Sequence, residues 1–306
     1  MRGGHAPGHN FSAMNRNSVP GWSGCFRRWL AVVAVSVVIA CSHQSVDFPL
    51  HPNLPENLRS FLLRHANTWE MAGDGSLIAA GEGPDATINT LEEARLVLSF
   101  YREWFPEAPP SITLFILHAS EPEWRQLVAK EGLRPDGIAF HAPGLLVIKE
   151  DVDQNLRPDR LPHELIHAIL SEQFPESIPL WLDEGWAGFY GWELVRAASD
   201  GSANWTRRRP AIEEIPPYGL DELSAITTYP EHPEAARMFY RESEEVIRAL
   251  EEELGRTAMG RFLDMAVRQP MPLSRLLIER WGWHEQKVRA LEWRVQQRCR
   301  MPRILR

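Results

Sequence analysis

The sequence is short of cysteine and of lysine, and its apolar runs are brief. Its three cysteines, Cys25, Cys41 and Cys299, stand far apart. No two have the close spacing of a zinc-binding knuckle, and three scattered thiols cannot form a disulfide framework. Lysine occurs only at Lys130, Lys149 and Lys287, so nearly all basic charge is arginine, which reads as genomic composition rather than function. The apolar run Trp29 to Ala40 holds twelve residues, too few to cross a bilayer core as a stable helix. Internal repeats and low-complexity segments are missing, which removes solenoids and arrays.

What is present has ordinary globular proportions. With 306 residues, 44% apolar and 24% charged, the chain suits one large domain or two small ones, and wholesale disorder or coiled coil is excluded. The 41 acidic residues outnumber the 33 basic ones for a net charge of −8, and setting aside the four arginines of residues 1–40 leaves −12 on the remainder. A body that acidic lacks the basic footprint of a nucleic-acid binder. The twelve tryptophans point to a large core or a groove with aromatic walls.

The first forty residues read as an address. Arg27 and Arg28 precede the short apolar run, the order of a secretory signal peptide. The run ends Val38-Ile39-Ala40-Cys41, which resembles the bacterial lipobox. That resemblance implies cleavage before Cys41 and acylation of it, and Ser42 in place of Asp favours the outer membrane, facing the periplasm. An ordinary signal peptide, or an uncleaved anchor with Cys41 incidental, is the alternative. Either Met1 or Met14 can be the start. With Cys25 removed and Cys41 acylated, Cys299 is left as an inert thiol.

Residues 41–56 read as a proline-containing tether, 57–155 as an N-terminal α/β subdomain and 156–306 as a helical subdomain. In the first subdomain, Asn57 to Trp69 has a helical pattern, and Thr90 with Glu93 is a capping box opening a helix to about Phe105. Ser111 to Leu117 reads as a buried strand. Gly137 to Phe140 and Leu145 to Lys149 read as strands joined at Pro143-Gly144. Helices are expected at about 158–174, 179–197, 232–254, 256–268, 273–281 and 283–298.

The chemistry concentrates in Leu161-Pro162-His163-Glu164-Leu165-Ile166-His167. Two histidines four apart on a helix share one face and can converge on one zinc ion. Glu164 is offset from them and can act as general base toward a water on that metal. Downstream, Trp181-Leu182-Asp183-Glu184-Gly185 lies on a further helix. Together the two segments resemble the gluzincin metallopeptidases, particularly the bacterial peptidase-MA-like branch. The resemblance implies an α+β, zincin-like fold, with 57–306 as one metallopeptidase domain. It assigns His163, His167 and Glu184 to one Zn2+ per chain and Glu164 to catalysis. Independently, Glu184, Gly188 and Gly191 form a stripe whose glycines would admit the histidine helix closely.

Residues 236–255 resemble the family's Y-x-x-S helix, which ends in a glycine. Tyr240 is a candidate hydrogen-bond donor to the oxyanion, with Tyr218, Tyr229 and His232 competing for the role. Some gluzincins carry a carboxylate one turn after the ligand glutamate to hold a ligand histidine. Here that position is Gly188, so Asp183 or a backbone carbonyl is expected to serve. His118 and His141 read as core or loop residues. The strand Leu145 to Lys149 is expected at the sheet edge, where an extended peptide would pair.

These residues imply hydrolysis of a peptide or protein substrate in the bacterial envelope, with the membrane reached through a lipid anchor at Cys41. The competing readings are a non-catalytic lipoprotein using the fold as a binding scaffold and a zinc hydrolase of non-peptide substrates. Residues 199–233 are a candidate lid. Sequence alone leaves oligomeric state and cleavage specificity open.

Overall fold

Leu145, Leu146, Val147 and Ile148 are all buried, which a strand achieves only when its faces are covered and it lies within a sheet. The computed structural model describes residues 54–65, 69–73, 77–82, 84–106, 112–117, 121–130, 139–149, 159–175, 178–198, 207–209, 215–301 and 303–305. The leader, Cys41, the tether to residue 53, His118, the 155/156 boundary and most of 199–214 lie outside the described residues. Those described fall in one compact unit.

The five-stranded sheet has the order β1-β2-β3-β5-β4. Its strands are β1 (Trp69–Gly73), β2 (Leu77–Glu82), β3 (Ile112–Leu117), β4 (Ala139–Ala142) and β5 (Leu145–Lys149). Strands β2, β3 and β5 are parallel, while β1 and β4 close the two edges antiparallel. This corrects one expectation: β5 is interior, and β4 forms the edge. The turn at Pro143-Gly144, with Gly144 at φ +68, folds β4 back along β5. The continuous apolar run of β5 needs that cover, whereas β4 is half-buried throughout and can face outward.

Helix α1 (Glu56–His65) precedes the sheet, α2 (Pro84–Trp104) connects β2 to β3, and α3 (Glu121–Lys130) follows β3. The second helix starts at Pro84, before the capping box expected at Thr90. Proline suits the first turn of a helix, and the Thr90/Glu93 pair falls inside it.

Among the described residues from 160 to 300, all regular structure is helical apart from one short strand. The elements are α4 (Arg160–Gln173), α5 (Leu180–Ala198), α6 (Leu220–Ser224), α7 (Pro233–Leu254), α8 (Arg256–Arg268), α9 (Leu273–Trp281) and α10 (Glu285–Arg300). The α+β class is as expected, with the main sheet confined to the first half. A second, two-stranded sheet pairs β6 (Arg207–Arg209) with β7 (Arg303–Leu305). Neither strand has an apolar alternation that would announce it.

Helix α5 is the centre of the molecule. It is apolar on nearly every side and packs between α4 and α7. Trp186 donates to the Tyr101 hydroxyl at 3.2 Å, and Phe105 lies 5.2 Å from the Trp186 ring. Trp124, Trp181 and Trp192 are buried too, so much of the tryptophan content is core. Helix α10 closes over the core with Val288, Leu291, Val295 and Cys299, whose thiol is buried as an inert one would be.

Candidate metal centre

Helix α4 carries Leu165, Ile166, Ala168, Ile169 and Leu170 into the core, and this packing fixes where its polar face points. On that face the Nε2 atoms of His163 and His167 approach to 3.1 Å. Helix α5 brings a carboxylate to the same point: Glu184 Oε2 lies 3.6 Å from His163 Nε2 and 3.7 Å from His167 Nε2. Gly191 makes the approach possible, because a Cβ there would lie 3.1 Å from His163 N and 3.2 Å from its Cα. The other glycine of the stripe, Gly188, faces Glu244 of α7 rather than α4.

Three ligand atoms around a tetrahedral zinc, each about 2.0–2.2 Å from it, sit roughly 3.3–3.5 Å apart. The observed triangle brackets that spacing. Glu184 Oε2 is buried and has no hydrogen-bond partner, an arrangement that would be costly without a cation. Two imidazole nitrogens and one carboxylate oxygen are a borderline-soft donor set that fits zinc. Glu164 lies beside His163 on α4, half-buried.

The surroundings hold these groups in place. Asp183 Oδ1 accepts from His167 Nδ1 at 2.7 Å, which leaves Nε2 turned toward Glu184. Burial opposes charge on His167, but Asp183 and Glu184 together outweigh it and raise the imidazole pKa well above its usual value. Burial likewise opposes the Glu184 carboxylate, and the two histidines outweigh it, holding the acid well below the ordinary range. Tyr229, on the segment before α7, donates its hydroxyl to Glu184 Oε1. Burial, and then the Glu184 charge, push that phenol far up.

The structure therefore brings together His163, His167, Glu184 and Asp183. Tyr240 lies one ring further out, stacked on Tyr229 at 5.9 Å. Tyr218 is engaged elsewhere through its N–H, which donates to Glu242 Oε2 at 2.7 Å. His232 is exposed, with Nδ1 3.0 Å from Glu234 Oε2.

Sequence reasoning missed His141. Its ring stacks on His167 with centroids 4.7 Å apart and planes 12° from parallel, and its Nδ1 faces Ser171 Oγ at 3.3 Å. Burial, then the neighbouring His167, lower its pKa to about 4, so it is neutral near pH 7. With His167 and Asp183 it makes a second potential ligand group, but the 2.7 Å bond between those two already engages their facing atoms. No spacing signal could have revealed this contact, because His141 arrives from the edge strand.

No family model and no curated protein matches this sequence. Among solved structures, the chain is similar to an M1 zinc metallopeptidase from Deinococcus radiodurans, with 17% identity and a TM-score of 0.41 over 77% of this chain and 53% of that one. A mutant of the Deinococcus radiodurans M1 enzyme bound to a Tyr-Ser-Ala substrate gives 17% identity and a TM-score of 0.41, over 73% of this chain and 51% of that one. The chain thus spans about half the length of the solved structures it matches.

Proposed function

We propose that this chain is a zinc-dependent peptidase of the gluzincin, peptidase-MA-like kind, exported and anchored in the bacterial envelope through a lipid on Cys41. The observation that carries the catalytic part is the convergence of His163 Nε2, His167 Nε2 and the buried, partnerless Glu184 Oε2 at 3.1–3.7 Å. His163, His167 and Glu184 would hold the zinc. Bound there, zinc would supply Lewis acidity, lowering the pKa of a coordinated water toward about 7 and polarising a substrate carbonyl.

The chain's own groups do the rest. Glu164, adjacent to His163 on α4, takes the water proton and delivers it to the leaving amine. Asp183 keeps His167 in the tautomer that presents Nε2. The Tyr229 hydroxyl is committed to Glu184, so Tyr240, stacked on the Tyr229 ring, is the phenolic donor for the oxyanion. The edge strand β4, half-buried and carrying His141 against His167, offers backbone groups to an extended peptide.

Metal analysis of the purified chain beside Glu184→Ala tests the centre. About one zinc per chain, lost or weakened in the variant, is expected. Glu164→Gln should keep the zinc and lose peptide hydrolysis. Zinc binding with no hydrolysis by the unmodified chain would instead favour a peptide-binding scaffold. Acylation is checked by labelled fatty-acid incorporation, which Cys41→Ala should abolish.

A further inference from the structure

One side chain joins the sheet edge to the candidate metal position and has no step of its own in the scheme above. His141 comes from β4, the outer strand of the five-stranded sheet among the described residues. Its ring lies on that of His167, with centroids 4.7 Å apart and planes 12° from parallel, the spacing of a stacked aromatic pair. Its Nδ1 is 3.3 Å from Ser171 Oγ. Ser171 follows His167 by four residues on α4, so His163, His167 and Ser171 share one helix face, and the His141 side chain contacts the last two.

The two supports of His167 are of different kinds. Asp183 holds the imidazole at its rim, through Nδ1 at 2.7 Å. A bond in the ring plane directs Nε2 within that plane but resists tilting of the ring only weakly. A flat partner against the face opposes the tilt, and the Ser171 contact keeps that partner in place.

The backbone of the same residue points the other way. The Thr113 N–H donates to Gly144 O at 2.8 Å, so Gly144 O turns toward β3. Pairing groups alternate along a strand, which turns those of Leu145 and Val147 toward β4 and those of Leu146 toward β3. His141 stands opposite Leu146. Its own N–H and C=O therefore turn away from β5, to the outer edge where an extended peptide would pair.

We infer that His141 is a positioning residue for His167: its ring fixes the tilt of that imidazole, and its backbone thereby sets the register between a peptide on the β4 edge and the metal. The inference rests on the reading of the site as a zinc centre. The side chain acts through His167 and takes no part in the proton transfers.

The test removes the flat ring and then restores it without its nitrogens. Zinc affinity is measured by chelator competition, and the absorption spectrum of the cobalt-substituted protein is recorded, for the full chain and for His141→Ala and His141→Phe. Thermal melting of the metal-free proteins separates loss of fold from loss of ligand orientation. Zinc binding about tenfold weaker and an altered cobalt spectrum are expected for His141→Ala. His141→Phe should regain most of the affinity and the parental spectrum. At saturating zinc, His141→Ala should lose kcat on a peptide while KM stays near the parent's, because the backbone that pairs the peptide is kept. Parental affinity and spectrum in His141→Ala, with zinc bound by the parent, would overturn the inference alone, as would a phenylalanine variant no better than the alanine one. A metal-free His141→Ala that no longer melts cooperatively would make the residue structural and overturn it too, and a rise in KM alone would place the side chain in substrate binding instead. No zinc in the parent chain would overturn the zinc-centre reading first, and the inference with it.

Discussion

The Tyr229 hydroxyl donates to Oε1 of Glu184 while Oε2 of the same carboxylate faces the two imidazoles. The carboxylate is thereby divided between a phenol and the candidate metal position, so it would bind a metal through one oxygen. Tyr229→Phe removes the donor and leaves the ring stacked on Tyr240. Zinc stoichiometry should stay near one, with affinity several-fold lower because Oε1 loses its bond in a buried place. Isothermal titration with zinc checks this. Unchanged affinity would mean that the phenol contributes nothing to holding the carboxylate.

Asp183 supports His167 in the same way, but with a charge. Asp183→Asn keeps the shape and replaces an anionic acceptor with a neutral one. The variant should bind zinc about 10–100-fold more weakly. The metal-free protein should also hold a proton on His167 less tightly, since Asp183 is one of the two anions that overcome its burial. An NMR titration of the His167 ring in the metal-free proteins, parent and variant, reads the second effect. An imidazole pKa that fails to fall would remove Asp183 from this role.

The packing of α5 on α7 is as demanding as the candidate metal site. A Cβ on Gly185 would lie 2.5 Å from the backbone oxygen of Ser243 and 2.8 Å from its carbonyl carbon. A backbone carbonyl inside a helix cannot step aside, so Gly185→Ala must push the two helices apart. A loss of about 3 kcal/mol is expected, at the upper end for overpacking. Gly260→Ala is the control: its Cβ would meet only Phe105 Cδ1 at 3.7 Å, an ordinary contact, and helix propensity favours alanine by up to about 1 kcal/mol. Thermal unfolding should therefore move in opposite directions for the two variants.

Local order made part of this legible in the sequence. His163 and His167 are one turn apart, so their shared face follows from helix geometry alone. Helices α7 to α9 begin and end close to expectation because proline and glycine punctuate them: Pro233 opens α7 after His232, and Gly255 at φ +77 closes it. What the sequence hid depends on distant partners. His141 meets His167 only after β4 folds onto β5. Tyr229 reaches Glu184 from a segment with no periodicity. The glycine stripe on α5 and its approach to the histidine helix were visible, and Gly191 makes that approach, but the turn of Gly188 toward Glu244 of α7 was not. The pair β6 and β7, rich in arginine, has no pattern to read.

The stretch before α6 is tied to α7 through a carboxyl group. Glu242 is fully buried, accepts the Tyr218 N–H at 2.7 Å through Oε2, and has no partner at Oε1. Burial raises its pKa from 4.5 to about 8, opposed by the Tyr218 bond and assisted by the charges of Glu292 and Glu222. An acid whose pKa is higher folded than unfolded stabilises the fold fully below its unfolded pKa, and that contribution is lost as pH rises through the folded value. Stability should therefore decline from about pH 5 to pH 8 by an amount on the order of a few kcal/mol. Glu242→Gln keeps an acceptor for the Tyr218 N–H and cannot ionise. It should match the parent near pH 4 and be the more stable protein at pH 9. Urea unfolding at the two values measures both, and parallel pH profiles for parent and variant would show that Glu242 is not the group responsible.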